Sequence, residues 1–298
     1  MPAPRLEAQL RRAAFGDCAD LPIHLLARRC GRARERWLAA VVLGGQARYA
    51  SAAALLHDLR DHPDPVLASL ALSTLASHRR QLGGHRAARA LDGAALAALA
   101  AAGSAERGTD PDGIDVLGAR CDALLGLAAD ALGTPEMGTP GMGIAEARRI
   151  LDLARSQGEH GWRTEVRTCW VCCEVELADG RPERAAPHAE RAARRCVDVG
   201  AVRHGVKSDL VLAATLVTGT SETARAGELI DRARSMAARH QLLSLAWPAE
   251  LLAGSVRGEG GEKVNDLLRR VLHRADPPGR LLAGDSAWMP LEQGIQSR

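Results

Sequence analysis

The chain has 298 residues, of which 46% are hydrophobic and 25% are charged, and its formal net charge is +3 at pH 7. These proportions exclude a disordered chain, because enough apolar side chains are present to bury a core. The mild charge argues against nucleic acid as a partner. No stretch approaches the roughly 20 apolar residues of a membrane span, and charged residues occupy the N-terminal stretch that a signal peptide keeps apolar. We therefore expect a cytoplasmic protein with no membrane association.

Aromatic residues make up only 2% of the chain, with a single Tyr and a single Phe. The core must therefore be built from Ala, Leu and Val. Ala and Leu favour helices, and few β-branched or aromatic runs are present that would favour strands. The composition predicts an all-α protein.

Glycine and proline residues divide the chain into helical segments. Residues 3–15 and 21–30 predict two short helices, which would form an N-terminal cap over residues 1–32. Residues 133–143 contain four Gly and two Pro and predict a loop, and residues 276–298 predict a flexible C-terminal tail. Between the cap and the tail, helices are predicted at residues 33–43, 47–60, 66–82, 85–102, 112–132, 144–157, 161–178, 182–199, 202–218, 222–238, 241–256 and 262–274.

Small or branched residues recur seven positions apart along this helical region. Their first members are 36, 59, 38, 41 and 38 residues apart. A self-similar period in this range is typical of an array of helical hairpins, and the longer interval indicates an insertion. The pairs are Ala52/Leu59, Ala88/Ala95, Ala147/Ala154, Ala185/Ala192, Ala226/Ala233 and Val264/Val271.

Further small residues precede four of these pairs by twelve positions, at Ala40, Ala76, Cys173 and Ala214. The spacing, together with the strings RYASAAALL at 48–56 and GRPERAAPHAERA at 180–192, resembles the tetratricopeptide repeat. In that family each unit is a pair of antiparallel helices that cross closely at small residues. The resemblance covers residues 33–275 and implies a right-handed α-solenoid of about six helix pairs, although the family's usual aromatic residues are mostly absent.

The resemblance also implies where a partner would bind. In tetratricopeptide-like arrays the first helices line a concave face, and the family binds extended or helical peptides there. Trp and Arg are the residue types that most often dominate binding energy. The residues expected on this face are Arg34, Trp37, Ser73, Ser77, Arg80, Gln81, Arg167, Trp170, Glu174, Ser208 and Thr215.

Three cysteines, Cys169, Cys172 and Cys173, form the one cluster that suggests metal or redox chemistry. No second pair of ligands accompanies them, and free cysteine packs as a small apolar residue, so a place in the core is favoured. No motif for a nucleophilic hydrolase, a zinc protease or a phosphate-binding loop occurs. We therefore predict no catalytic residue, no bound metal and no cofactor.

The leading functional hypothesis is a non-catalytic scaffold that binds a protein or peptide in the concave groove. A second hypothesis, by resemblance, is the sensory or regulatory part of a bacterial transcription or signalling system. A third is a thiol or metal-binding protein built on the cysteine cluster. The sequence does not identify the partner, and it leaves a homodimer open.

Overall fold

The computed structural model describes residues 3–100, 110–134, 141–158, 161–219, 222–258 and 261–291. Within these ranges the protein is helical and contains no strand, which confirms the all-α prediction. A 3-10 turn at Ala27–Arg29 follows the second helix. The helices are α1 (Ala3–Phe15), α2 (Ile23–Leu26), α3 (Ala33–Gly45), α4 (Tyr49–His57), α5 (Pro65–Gln81), α6 (His85–Leu99), α7 (Val116–Gly133), α8 (Met142–Arg155), α9 (Trp162–Ala178), α10 (Pro182–Asp198), α11 (Val202–Gly219), α12 (Thr223–Arg239), α13 (Leu243–Arg257), α14 (Gly261–His273) and α15 (Pro277–Gly284).

Six helix pairs, from α3–α4 to α13–α14, follow one another along the chain. The two helices of each pair pack on each other, and the first helices α3, α5, α7, α9, α11 and α13 also contact their counterparts in the next pair. This arrangement confirms the predicted solenoid of about six helix pairs.

Small residues lie where the helices cross. Every member of the seven-residue pairs is at most 5% exposed, and Ala40, Ala76 and Cys173 are fully buried. At the fourth first-helix position the fully buried residue is Ala213, whereas Ala214 is half-buried. The close crossings therefore follow the predicted register, with a shift of one residue in α11.

The two ends of the array meet. Helix α1 contacts α11, α3 contacts α13, and α5 contacts α15. The Ser244 hydroxyl of α13 donates to the Gly45 carbonyl at 2.7 Å, and the Ala50 amide donates to the Arg274 carbonyl at 2.8 Å. We call this line of contacts the seam. Because of the seam, the concave faces of the first helices turn toward one another around an enclosed interior.

Residues 276–291 pack against the array, where the sequence predicts a flexible tail. Residues 277–284 form α15, and the guanidinium of Arg79 donates to both carboxylate oxygens of Asp276 at 2.5 and 2.6 Å. The Ser286 hydroxyl donates to the Gly83 carbonyl, and Met289 is only 6% exposed. An ion pair and a buried apolar side chain therefore hold this segment on α5. The remainder of the predicted tail, residues 292–298, lies outside the described residues.

The pair Gly44-Gly45 lies inside α3, where the sequence predicts the end of a helix at residue 43. The turn comes later, at Ala47, which adopts a positive φ of 53°. A Cβ on Gly44 would lie 2.0 Å from the Nε2 atom of His78. These glycines therefore allow α3 and α5 to approach closely, and they do not interrupt the helix.

The segment predicted as one helix at 21–30 is shorter and divided. Helix α2 spans only Ile23–Leu26 before the 3-10 turn. Most of the predicted loop at 133–143 lies outside the described residues.

None of the described helices combines the length and the apolar character needed to cross a lipid bilayer.

The ion pair that anchors α15 gives a first test. Replacing Asp276 by Ala leaves the 6%-exposed Arg79 without its partner, and loss of one member of a buried pair costs about 3–5 kcal/mol of unfolding free energy. Burial raises the pKa of Asp276, but Arg79 outweighs this and lowers it below its usual value. The stabilisation is therefore present at pH 7 and is lost as the pH falls through that lowered pKa.

Urea unfolding at pH 7 measures this effect. The matched control is Asp17→Ala, which removes the exposed partner of Arg12 and should leave the midpoint nearly unchanged. Equal midpoints for Asp276→Ala and the wild type would contradict a packed α15.

Candidate ligand site inside the ring

Two adjoining cavities of about 140 and 50 Å³ lie between the concave faces of the first helices. We call them together the inner chamber. They share Ser77, Gln81, Arg167, Arg203 and His204 as walls, so helices α5, α9 and α11 face one another across it. The chamber is thus the interior that the seam encloses.

The structure brings eight of the predicted concave residues together on the chamber walls. The other three lie elsewhere. Arg34 lies near the Glu7 and Asp110 carboxylates, at 3.7 and 3.8 Å. Ser208 and Thr215 are buried in helix packing. The eight wall residues are Trp37, Ser73, Ser77, Arg80, Gln81, Arg167, Trp170 and Glu174.

The tryptophans are fixed in place by hydrogen bonds. The indole of Trp37 donates to the Leu70 carbonyl at 3.1 Å and to the Thr74 hydroxyl at 3.0 Å. The indole of Trp170 donates to the Ser208 hydroxyl at 2.9 Å. At 1% and 7% exposure, both rings form rigid walls, and a partner could touch only a small part of either.

Trp170 lies between two groups of α11. The His204 ring stacks on it with centroids 5.5 Å apart, and the Lys207 ammonium lies 4.4 Å above its face. Lys207 also lies 3.7 Å from the Glu174 carboxylate. The aromatic face and the carboxylate together compensate the lysine charge.

Most arginines of the chamber are paired with aspartates, of which Asp122 lines the chamber and Asp92 and Asp130 do not. Arg80 binds Asp130 through its Nε atom at 2.7 Å and also binds Asp92. Arg163 binds Asp122 at 2.7 Å, and the Nε atom of Arg167 lies 3.1 Å from the same carboxylate. These pairs hold the guanidinium groups in fixed positions around the cavity.

Arg203 differs from these arginines. It makes no hydrogen bond or ion pair with any of the described residues, although it lines both parts of the chamber. Burial, followed by the positive charges of Arg167 and Arg163, lowers its pKa to about 10. It therefore remains protonated at pH 7, as a cation without a counter-ion.

A larger apolar cavity of about 1090 Å³ adjoins the chamber between α11, α13 and α14. We call it the apolar groove. It shares Gln81, Lys207, Ser244 and Leu245 with the chamber, so the two spaces adjoin at these residues. Its walls are formed mainly by apolar residues, among them Leu210, Val211, Ala214, Trp247, Pro248, Leu251, Leu252, Val264 and Pro290.

Sequence reasoning missed Arg203, His204 and Lys207. The register of α11 explains why, because the face toward the interior carries Lys207, Val211 and Ala214. Lys207 and Ala214 are each one position before a predicted residue, Ser208 and Thr215 respectively. Val211 follows Lys207 by four positions and therefore lies on the same face. Residues 203, 207, 211 and 214 have the spacing of one helix face. If Ala213, and not Ala214, is taken as the buried small residue of α11, this spacing predicts that Arg203 and Lys207 face the interior.

The three clustered cysteines are buried in the helix core, with exposures of 0–5%, as predicted. Burial raises the pKa of Cys169 to about 11 and also raises that of Cys172 and Cys173. The Cys173 thiol donates to the Ala185 carbonyl. Across the described ranges, no group of three or more His, Cys, Asp or Glu side chains is placed to hold a metal ion.

The chain is similar to known proteins in its three-dimensional structure and not in its sequence. No family model matches the chain, and no curated protein matches it. The solved structure of a Rap protein complexed with competence and sporulation factor superposes with a TM-score of 0.52 and 13% identity, over 81% of this chain and 68% of that chain. A signal transduction ATPase with a tetratricopeptide repeat sensor from Pyrococcus horikoshii gives a TM-score of 0.46 and 14% identity, over 94% of this chain and 41% of that chain.

The likeness to the Rap protein shows a shared fold. Together with the six helix pairs and their small crossing residues, it places this chain among tetratricopeptide-like helical repeat structures, as the sequence predicts. At 13% identity the likeness concerns the fold alone.

Two buried histidines should make stability depend on pH. Burial, then Arg203 and Arg79, lower the pKa of His78 to about 3, and burial lowers that of His204 well below its usual value. In each case the unfolded chain binds the proton more readily than the folded protein, so stability is lost as the pH falls below about 6.5. Each histidine contributes a slope of about 1.4 kcal/mol per pH unit there.

Urea unfolding at pH 7 and pH 5 checks this slope. His78→Gln should reduce the loss between the two pH values by about 1–2 kcal/mol, because the glutamine does not titrate. The exposed His57→Gln variant serves as the control and should behave as the wild type. An unaltered pH dependence in His78→Gln would show that His78 is not buried in its neutral form.

The cysteines give a separate test. Six of the seven are buried, and only Cys18 is partly accessible. An aromatic disulfide reagent should therefore modify a single thiol rapidly in the native protein and the other six only after unfolding. Cys18→Ser should remove the rapid phase. Rapid modification at Cys169 or Cys172 would contradict their place in the core.

Proposed function

We propose that this protein is a non-catalytic binding protein that holds an extended peptide segment of its partner in the apolar groove, with one end of the segment in the inner chamber. The observation that carries the proposal is that the two spaces adjoin and share Gln81, Lys207, Ser244 and Leu245 as walls. An apolar groove that ends in a charged pocket combines the two features that give affinity and orientation in ligand sites.

The dimensions of the groove suit a short extended segment. Its wall on α13 runs from Ser244 to Ser255, which at about 1.5 Å per residue is about 16 Å of helix. An extended peptide covers that length with about five residues at about 3.3 Å each. The volume of about 1090 Å³ is at the upper end of ligand pockets, which run to about 1,000 Å³.

The chamber supports binding and offers no obvious group for catalysis. The carboxylates in and around it, Asp92, Asp122, Asp130 and Glu174, each lie next to a cation. Burial raises the pKa of Asp92 to about 7, but neither Asp92 nor Asp130 lines the chamber, and Arg80 binds both carboxylates. The similar Rap protein was solved in complex with a factor, which is consistent with ligand capture by a fold of this kind.

A regulatory form of the same function follows from the seam. Ser244 lines the chamber and the groove and also donates to the Gly45 carbonyl that joins α13 to α3. A ligand in contact with Ser244 would change the stability of the seam and so bias the closure of the ring. This would suit the sensory part of a signalling system.

Selection from a displayed random peptide library, followed by fluorescence anisotropy with the selected peptides, tests the proposal. Leu251→Asp places a charge in the groove, where Leu251 is 42% exposed. It should weaken binding by at least about tenfold, because an unpaired carboxylate is costly to bury.

The matched control is Leu153→Asp on α8, which is 51% exposed and lies outside both cavities. Its affinity should stay within about twofold of the wild type, as expected for a surface site away from the contact. No selected peptide, or equal effects of the two variants, would overturn the groove as the binding site.

A further inference from the structure

The cations of the inner chamber are unequally compensated. Arg80, Arg163, Arg167 and Lys207 each have a carboxylate within 4.0 Å. Arg203 lines the same space and has no such partner among the described residues. Arg163 and Arg167 share the carboxylate of Asp122, and burial raises the pKa of Asp92 beside Arg80 to about 7, so the chamber has a surplus of positive charge. Among the described residues Arg203 is the chamber cation with no carboxylate partner.

An unmatched cation inside a protein is unfavourable. Arg203 is half-buried, and the partial loss of hydration of its guanidinium is unfavourable unless an anion and hydrogen bonds replace the solvent. The burial and like-charge repulsion that lower the pKa of Arg203 reflect this cost. An anion bound in the cavity that Arg203 faces would relieve this cost.

The position of Arg203 suits a ligand that enters from the groove. Its side chain packs against Gly45 of α3, where an added Cβ would lie 3.0 Å from the Arg203 Cδ atom. Lys207, one turn farther along α11, lies at the junction with the groove. A chain that follows α11 inward from the groove therefore passes Lys207 and ends at Arg203.

We propose that Arg203 binds a carboxylate of the ligand, so that the ligand is a peptide segment with an acidic end in the chamber and apolar side chains in the groove. This inference rests on the proposed function. The planar guanidinium can donate two parallel hydrogen bonds to a carboxylate. Asp122 and Glu174 on the walls repel a singly charged carboxylate less than a phosphate dianion, which favours the carboxylate.

Small probes test the anion subsite without a known ligand. We would titrate the protein with 4-phenylbutyrate, its neutral amide and inorganic phosphate, and follow the side-chain Nε–H signals of arginine by NMR. The acid should shift one arginine signal that is missing in Arg203→Gln, and the amide should shift none. A response to phosphate but not to the carboxylate, or no response to any anion, would overturn the assignment.

Peptide probes separate the two sources of a carboxylate. One is acetyl-Leu-Ala-Leu with a free C-terminus, and the other is acetyl-Leu-Ala-Leu-Asp with an amidated C-terminus. The wild type should bind one of them at least about tenfold more tightly than acetyl-Leu-Ala-Leu-amide, as expected for a charged hydrogen-bonded pair. Arg203→Gln should abolish that preference. Arg191→Gln makes the same change of charge at an exposed site that lines neither cavity, and it should keep the preference.

Stability distinguishes a ligand-binding arginine from a structural one. Removal of an uncompensated cation should leave the urea midpoint of Arg203→Met, which keeps an apolar stem against Gly45, equal to or higher than that of the wild type without ligand. A lower midpoint would show that Arg203 has a stabilising partner and would overturn the proposal. If 4-phenylbutyrate binds at Arg203 but no library peptide binds in the groove, the anion subsite stands and the proposed peptide-binding function fails.

Discussion

Close approach of helix backbones at small residues is the constraint on which the rest of the structure depends. Alanines such as Ala88, Ala185 and Ala226 are fully buried at the crossings, and Gly44 admits His78 where any side chain would collide. Each first helix contacts the next, and the array of six pairs brings α3 into contact with α13. The enclosed interior is a consequence of this packing.

Enclosure changes what the concave side chains can do. On an open concave surface Arg80 and Arg167 would be solvated, and their ion pairs would contribute little. Inside the ring they are fixed by Asp130 and Asp122, so the field in the chamber is set by charges that do not move. Arg203 stands out in that field as a cation with no counter-ion in the part of the chain that the structure describes. The groove alone could bind many apolar segments in either orientation. The charged chamber at one end of the groove would favour one orientation of the bound segment.

Much of the fold was accessible from the sequence, and the site only in part. Spacing at Ala185 and Ala192 predicted the helix pairs because crossing helices require small residues at that period. Trp170 and Arg80 were found on the correct face for the same reason. Ser208 was expected on that face, but a rotation of α11 by one residue presents Lys207 there instead. The lack of a partner for Arg203 depends on what α3 and α13 bring to the seam, and contacts between residues so far apart in the chain have no local signal in the sequence.

The central claim is that the array closes on itself and encloses its concave side chains. The most direct test is a distance measurement across the seam by pulsed electron spin resonance, with spin labels at Ser51→Cys on α4 and Arg270→Cys on α14 in a Cys18→Ser background. Both sites are exposed, and the chain segments next to them are joined by the hydrogen bond from the Ala50 amide to the Arg274 carbonyl. The closed ring predicts one narrow population near the short limit of the method. A long or broad distribution, as in an open superhelix, would contradict it.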